Sequence, residues 1–189
     1  KDAGFEIDND DYYTLSVLMP GKTEKEIGIL GHLDVVPEGD GWHFEPYQAV
    51  EKNGFIIGRG SSDNKGAVIM SLYVMKFLKE MGAELNHTLR LICGFDEEAG
   101  MRDVEHYLMT HEAPEFTIVC DGGWAMCIGE KGILTADLVL QASTGNLTAF
   151  EGGTVSNAVS GFACAVITGL DIETVVQYAA EFKSEAKRS

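Results

Sequence analysis

The chain contains the segment Ile27-Gly-Ile-Leu-Gly-His-Leu-Asp-Val-Val-Pro37, in which an apolar run leads to His32 and Asp34. A short apolar run that stops at a turn is typical of a buried strand. Open α/β sheets bind their ligands at the carboxyl ends of strands, and these two polar residues would lie at such an end. The segment therefore predicts a strand that carries functional groups at its end.

Two later segments repeat this arrangement. Thr88–Phe95 has the composition of a strand and leads into Asp96-Glu97-Glu98, and Phe116–Cys120 leads into Asp121. Helices are predicted between the strands, at Lys65–Met81 and at about 101 to 111, from apolar residues three and four positions apart. Alternating strands and helices predict an α/β fold with a mostly parallel sheet flanked by helices.

An additional carboxylate, Asp63, follows a predicted hairpin in which Asn53-Gly54 joins Ala49–Lys52 to Phe55–Ile57. Carboxyl ends of parallel strands meet at one edge of a sheet. We therefore expect Asp63 to lie there with the acidic residues that end the other strands, and with His32. Carboxylates gathered in one place repel one another unless a cation or a proton lies among them.

The pattern of the chain changes after Gly129. Gly132–Leu140 alternates as a half-exposed strand, and a polar link, an apolar run at Phe162–Ile167 and an amphipathic segment at Asp171–Lys187 follow. We place a domain boundary here, with residues 1–130 in one domain and residues 131–189 in the beginning of another. About 58 residues are few for an independent core.

Composition narrows the possible partners. The 189 residues include 30 acidic and 14 basic side chains, and the resulting net charge of −16 argues against nucleic-acid binding. No apolar run approaches the roughly 18 residues that a membrane span needs, and we expect no secretory leader, because residues 1–30 lack a basic segment followed by an apolar one. The four cysteines form no C-x-x-C pair, so we expect reduced thiols and a cytoplasmic protein.

The types of polar residue indicate a metal. Asp34 lies two positions after His32, on the same face of the strand, and can orient the imidazole. One imidazole per ion together with carboxylate oxygens suits Zn²⁺, Mn²⁺ or Co²⁺. Ca²⁺ and Mg²⁺ fit less well because they prefer oxygen ligands.

Four motifs, taken together, resemble a known family. They are Gly31-His-Leu-Asp-Val-Val-Pro37, Gly58-Arg-Gly-Ser-Ser-Asp-Asn-Lys-Gly66, Asp96-Glu-Glu98 and Asp121. The family is that of the co-catalytic zinc metallopeptidases, which includes aminoacylases, glutamate-releasing carboxypeptidases and PepV-type bacterial dipeptidases. The motifs are similar to the family's in order and spacing, with 31 residues from His32 to Asp63 and 34 from Asp63 to Glu97.

The resemblance implies a two-zinc centre, with Mn²⁺ or Co²⁺ as possible substitutes. His32 and Asp121 would bind one ion, Glu98 would bind the other, and Asp63 would bridge the two. It also implies that the peptide bond between Asp63 and Asn64 is cis.

The remaining roles follow from the same resemblance. Glu97 would act as the general base, and Asp34 would orient His32. Asn157 lies in a Gly-Gly-x-x-x-Asn-x-Val segment that is similar to the start of the family's lid domain, and it would bind the substrate carboxylate. The implied fold is an incomplete zinc peptidase catalytic domain followed by the start of a smaller α+β lid domain.

Dipeptides or short peptides are the implied substrates, because Asp at position 121 resembles dipeptidases and aminopeptidases. An N-acyl amino-acid deacylase and a truncated, non-catalytic metal-binding module stay open as alternatives. The family pattern also needs a His in a later catalytic segment, and no His follows His111. We therefore expect the chain to be a fragment that is inactive alone. The oligomeric state and the side chains of the substrate stay open.

Overall fold

The computed structural model describes residues 3–123, 125–129, 131, 132, 134, 136, 145–153 and 161–186. The chain divides into two compact units, Lys1–Glu130 and Lys131–Ser189. The assignment of these units to a catalytic domain and a lid domain stays a prediction.

The strands of the first unit form a five-stranded sheet and a separate hairpin. They are β1 (Glu6–Asp10), β2 (Thr14–Met19), β3 (Thr23–His32), β4 (Val50–Lys52), β5 (Phe55–Ile57), β6 (His87–Gly94) and β7 (Phe116–Val119). The sheet order is β1-β2-β6-β3-β7, and β4 pairs with β5. β3 runs parallel to β6 and β7, whereas β2 is antiparallel to β1 and β6. The predicted α/β fold with a mainly parallel sheet is confirmed.

The register of the parallel strands determines where the polar residues lie. His32 at the end of β3 is opposite Gly94 at the end of β6, and Leu30 is opposite Val119 at the end of β7. Three strands therefore end at one edge of the sheet. The segments that follow β6 and β7 begin beside the last residue of β3.

The helices of the first unit are α1 (Lys65–Glu80) and α2 (Arg102–Thr110), and a single 3₁₀ turn spans Glu97–Ala99. The buried residues Val68 and Met75 of α1 belong to the same core as Leu91 of the sheet. α1 ends before Gly82, whose φ of +68° is readily adopted by glycine. Within the described residues, no helix has the length and apolar character needed to cross a membrane.

The strand β1 is acidic, although a run such as Asp8-Asn-Asp-Asp11 is typical of a solvated turn. Asp8 and Asp10 lie instead on an edge strand, where polar residues discourage pairing with another chain. Asp8 accepts hydrogen bonds from Arg90 at 3.2 Å and from His111 at 2.9 Å. Burial opposes ionisation of Asp8, but these hydrogen bonds outweigh it and lower its pKa.

The second unit contains β8 (Leu147–Gly152), β9 (Ala163–Ile167) and α3 (Ile172–Ala186). β8 and β9 form an antiparallel pair, although β8 lies in a segment that we expected to be a polar link. At the start of α3, the Asp171 carboxylate accepts a hydrogen bond from the Thr174 backbone at 2.8 Å. Most of the predicted strand at Gly132–Leu140, and the lid motif from Thr154 onwards, including Asn157, lie outside the described residues.

We predict that Met75→Ala lowers the free energy of unfolding by about 2–5 kcal/mol, because it leaves a cavity where the side chain is fully buried. Met70 is 70% exposed on the same helix, so Met70→Ala is the matched control and should change the stability by less than about 0.5 kcal/mol. Urea unfolding of the full-length protein measures both. Equal effects of the two substitutions would contradict this description of the core.

Candidate functional site

The imidazole of His32 lies at the centre of the site, with its side chain only 3% exposed. Its Nε2 atom is 3.0 Å from Asp63 Oδ1, 3.5 Å from Asp121 Oδ2 and 4.0 Å from Glu97 Oε2. These three acids come from the loop after β5, the end of β7 and the turn after β6. The parallel register therefore assembles residues that are up to 89 positions apart in the chain.

The contacts of the other ring nitrogen, Nδ1, determine which of the two nitrogens of His32 carries the hydrogen. Nδ1 is 3.1 Å from the backbone carbonyl oxygen of Asp34 and 3.3 Å from its Oδ1. A carbonyl oxygen only accepts, so a hydrogen bond to it requires the hydrogen on Nδ1. Nε2 then points a lone pair at three carboxylates. Such an arrangement is repulsive unless a proton or a metal ion lies between them.

Asp34 also holds the acidic turn that follows β6. Its Oδ1 accepts a hydrogen bond from the Glu97 backbone at 3.2 Å, and its Oδ2 accepts one from the Glu98 backbone at 3.0 Å. One carboxylate therefore contacts the imidazole and the segment that carries both glutamates.

A buried amide, Asn64, links three parts of the site. Its Oδ1 accepts a hydrogen bond from the His32 backbone at 3.2 Å, and its Nδ2 donates to the Cys120 carbonyl at 2.6 Å and to Asp121 Oδ1 at 3.1 Å. The close approach depends on Gly31, because a Cβ atom there would lie 2.5 Å from Asn64 Oδ1. The bond between Asp63 and Asn64 is cis, as expected.

Sequence reasoning missed this role of Asn64. An Asn directly before a helix indicates an N-cap, yet its side chain makes no capping hydrogen bond to α1. The signal available in the sequence therefore pointed to a local function, whereas the contacts are with two strands of the sheet.

Two sets of side chains offer ligand atoms that lie within 4.8 Å of one another. They are His32, Asp63 and Asp121, and His32, Glu97 and Glu98. Ligands in a tetrahedral site with bonds of about 2.0–2.1 Å are roughly 3.3 Å apart, and the distances from Nε2 to Asp63 and Asp121 lie on either side of that spacing. One nitrogen and two oxygens suit Zn²⁺, Mn²⁺ or Co²⁺. The first set therefore fits a metal ion.

Two groups of the site have shifted pKa values. Burial alone would lower the pKa of His32, but its contacts with Asp34 and Asp63 and the charges of Asp121 and Glu97 outweigh burial and raise it. Burial and the neighbouring carboxylates also raise the pKa of Glu97, against the opposing effect of His32. A carboxylate with a raised pKa is a stronger base than an ordinary carboxylate, which suits a group that accepts a proton.

Of the residues predicted from sequence, the structure brings six together at this edge of the sheet. They are His32, Asp34, Asp63, Glu97, Glu98 and Asp121. Glu98 is grouped with Glu97 and His32 rather than with Asp63. Asn157 lies outside the described residues.

Comparison with known proteins identifies the family. Residues 28–186 match the model of Peptidase family M20/M25/M40. The chain belongs to this family. Membership implies dependence on a metal ion, in agreement with the ligand set at the sheet edge. The chain spans little more than a third of the length of the curated relatives that it matches.

Three relatives illustrate the likeness. A Beta-Ala-Xaa dipeptidase of Lactobacillus delbrueckii subsp. lactis is 32% identical over 180 residues, which cover 93% of this chain and 38% of the relative. Human carnosine dipeptidase 1 is 26% identical, with a TM-score of 0.51 over 59% of this chain and 26% of that one. An M20 family metallo-carboxypeptidase from Sulfolobus solfataricus is 28% identical, with a TM-score of 0.52 over 58% and 26%.

We predict that Asn64→Ala lowers the free energy of unfolding of the metal-free protein by about 1–3 kcal/mol, because it leaves buried backbone groups unpaired. Zinc affinity should fall roughly 10–100-fold, because Asp121 loses the amide that orients it. Urea unfolding and zinc titration measure the two effects. The exposed Asn86 provides the control Asn86→Ala, and a variant of Asn64 that behaved like it would refute this role.

The raised pKa of His32 leads to a prediction about how the stability of the metal-free protein depends on pH. A histidine with a raised pKa in the folded state stabilises the fold fully below its unfolded value of about 6.5, and that contribution is lost as the pH rises through the folded pKa. The stability lost on His32→Gln should therefore shrink as the pH rises from about 6 to about 8.

Urea unfolding in the presence of a chelator, at a series of pH values, measures this change. The exposed His43 provides the control His43→Gln, which should alter the pH dependence little. A stability difference between wild type and His32→Gln that grows with pH would show that the sign is wrong.

Proposed function

We propose that the protein is a metal-dependent hydrolase that cleaves the amide bond of dipeptides or short peptides. The observation that carries the proposal is the position of His32 Nε2, which lies within 4.0 Å of three carboxylates. Only a cation or a proton stabilises such a set, and the residue types suit a divalent metal ion. Membership of Peptidase family M20/M25/M40 supports the same chemistry.

We assign His32, Asp63 and Asp121 to one zinc ion, and Asp63 with Glu98 to a second, with Mn²⁺ or Co²⁺ as possible substitutes. When bound, the ions would lower the pKa of a water molecule and polarise the substrate carbonyl. Asp34 keeps Nδ1 of His32 protonated and thereby leaves Nε2 available as a ligand. The missing ligand of the second ion would come from outside this chain.

Glu97 is the proposed general base. It lies 4.0 Å from His32 Nε2, and its pKa is raised by burial and by neighbouring carboxylates. The carboxylate would take a proton from the attacking water and deliver it to the nitrogen of the leaving amine. Its backbone is fixed by Asp34, so the side chain starts from an ordered position.

The substrate class rests on the relatives and on Asp121. The Lactobacillus relative is a dipeptidase by name. An Asp rather than a Glu at position 121 resembles the dipeptidases and aminopeptidases of the family. Asn157 is proposed to bind the substrate carboxylate.

The four cysteines are free, which supports a cytoplasmic location. N-acyl amino-acid deacylation by the same centre is the alternative.

We predict that Glu97→Gln in the full-length protein lowers kcat about 10²–10⁴-fold while zinc content stays near that of wild type, because the base is lost and the ligands are kept. Asp121→Asn should lower zinc content together with activity. Hydrolysis of β-alanyl and α-dipeptides, with N-acetyl amino acids in parallel, and metal analysis measure these effects.

Preferential hydrolysis of the N-acetyl amino acids would favour the deacylase. Equal zinc loss from Glu97→Gln and Asp121→Asn would contradict the division between base and ligand. Absence of hydrolysis by the zinc-loaded, full-length wild-type protein would overturn the proposed function.

A further inference from the structure

A buried carboxylate, Asp103, lies beside the segment that carries the proposed base. The residue is 1% exposed and stands in the first turn of α2. Its Oδ2 accepts hydrogen bonds from the Phe95 backbone at 2.7 Å and from the Asp96 backbone at 2.9 Å, and its Oδ1 accepts one from the Val104 backbone at 2.7 Å. Burial of a carboxylate is unfavourable, so these three charge-assisted bonds are what hold it there.

Together, Asp103 and Asp34 bind four consecutive backbone N–H groups. The N–H groups of residues 95 and 96 donate to Asp103, and those of residues 97 and 98 donate to Asp34. The acidic segment is thus held from two sides, by the first turn of α2 and by the loop that follows β3. We call this arrangement the carboxylate clamp, meaning the carboxylates of Asp34 and Asp103 on the N–H groups of residues 95–98.

The position of Asp103 depends on the absence of a side chain at residue 94. A Cβ atom at Gly94 would lie 2.3 Å from Asp103 Oδ2. Gly94 is opposite His32 in the sheet, so the carboxylate approaches the backbone directly beside the residue at the centre of the site. Asp103 also lines the same small cavity as His32, Glu97 and Asp121.

The partners of its hydrogen bonds distinguish Asp103 from a residue that only caps its own helix. One of its oxygens bonds the N–H of the next residue of α2, while the other bonds two N–H groups that precede the glutamates. Glu105, in the same turn, is exposed and has the same charge. Any general effect of negative charge near the start of the helix would therefore be shared by Glu105.

We infer that Asp103 is a positioning residue for the proposed hydrolysis: it fixes the backbone of residues 95 and 96 so that Glu97 and Glu98 point at the reacting centre. The inference rests on the proposed function for its effect on the reaction. The ordering of residues 95–98 does not rest on it. Misplacing a catalytic group by about 1 Å lowers the rate roughly 100-fold.

The test compares three variants of the full-length, zinc-loaded protein. Asp103→Asn keeps the shape, but its NH₂ group must face at least one of the backbone N–H groups. Gly94→Ala keeps Asp103 and displaces its carboxylate through the added methyl group. Glu105→Gln is the matched control, because it removes one negative charge from the same turn.

We expect amide hydrogen exchange at residues 95–98 to become about 10–100-fold faster in Asp103→Asn and Gly94→Ala, since charge-assisted hydrogen bonds are lost. In both variants kcat should fall roughly 10–100-fold with KM within about threefold, because the groups that act in the transition state are misplaced. Exchange in β2 and α1 should stay as in wild type, and Glu105→Gln should match wild type throughout.

Amide hydrogen exchange at residues 95–98 that is as slow in both variants as in wild type would overturn the inference. So would faster exchange that is equally large in β2 and α1, since it would indicate a general loss of stability. Faster exchange at residues 95–98 with unchanged kcat would overturn the positioning role in catalysis. If the wild-type protein hydrolyses no dipeptide, the proposed function fails, while local loss of protection would still support the clamp.

Discussion

Repulsion among carboxylates is the constraint on which the rest of this structure depends. Three acidic side chains lie within 4.0 Å of one imidazole nitrogen. Two like charges about 4 Å apart near a protein surface repel by roughly 4 kcal/mol, so a neutral imidazole cannot offset several of them. The site is consistent only with a cation or a proton at its centre. A net charge of −16 on the whole chain adds to this requirement.

The fold holds these charges together through hydrogen bonds to the backbone. Asn64 joins the ends of β3 and β7, and the carboxylate clamp fixes the segment after β6. Both arrangements need a glycine in the adjacent strand, Gly31 for the amide of Asn64 and Gly94 for the carboxylate of Asp103. These glycines near the ends of β3 and β6 therefore do more than allow a turn, because they let a polar side chain approach the strand directly.

Sequence patterns predicted the strands and helices near the site because each has a strong local signal. α1 shows apolar residues at helical spacing, and Asn53-Gly54 marks the hairpin. β1 has no such signal, because Asp8 and Asp10 are typical of a solvated turn, and the hydrogen bonds to Asp8 come from the distant residues Arg90 and His111. Met70 shows the limit of such a signal, because an apolar residue within α1 is typical of the core, yet its side chain is exposed.

The amino-acid sequence by itself determined which polar residues follow the strands, the order of the motifs, and the resemblance to a metallopeptidase family. These features are local, because each depends on residues within a few positions of one another. Tertiary structure alone decided that Asn64 and Asp103 support the site. Their partners lie on other strands and turns, and an Asn or an Asp near the start of a helix has the same local pattern whether it caps that helix or binds a distant backbone.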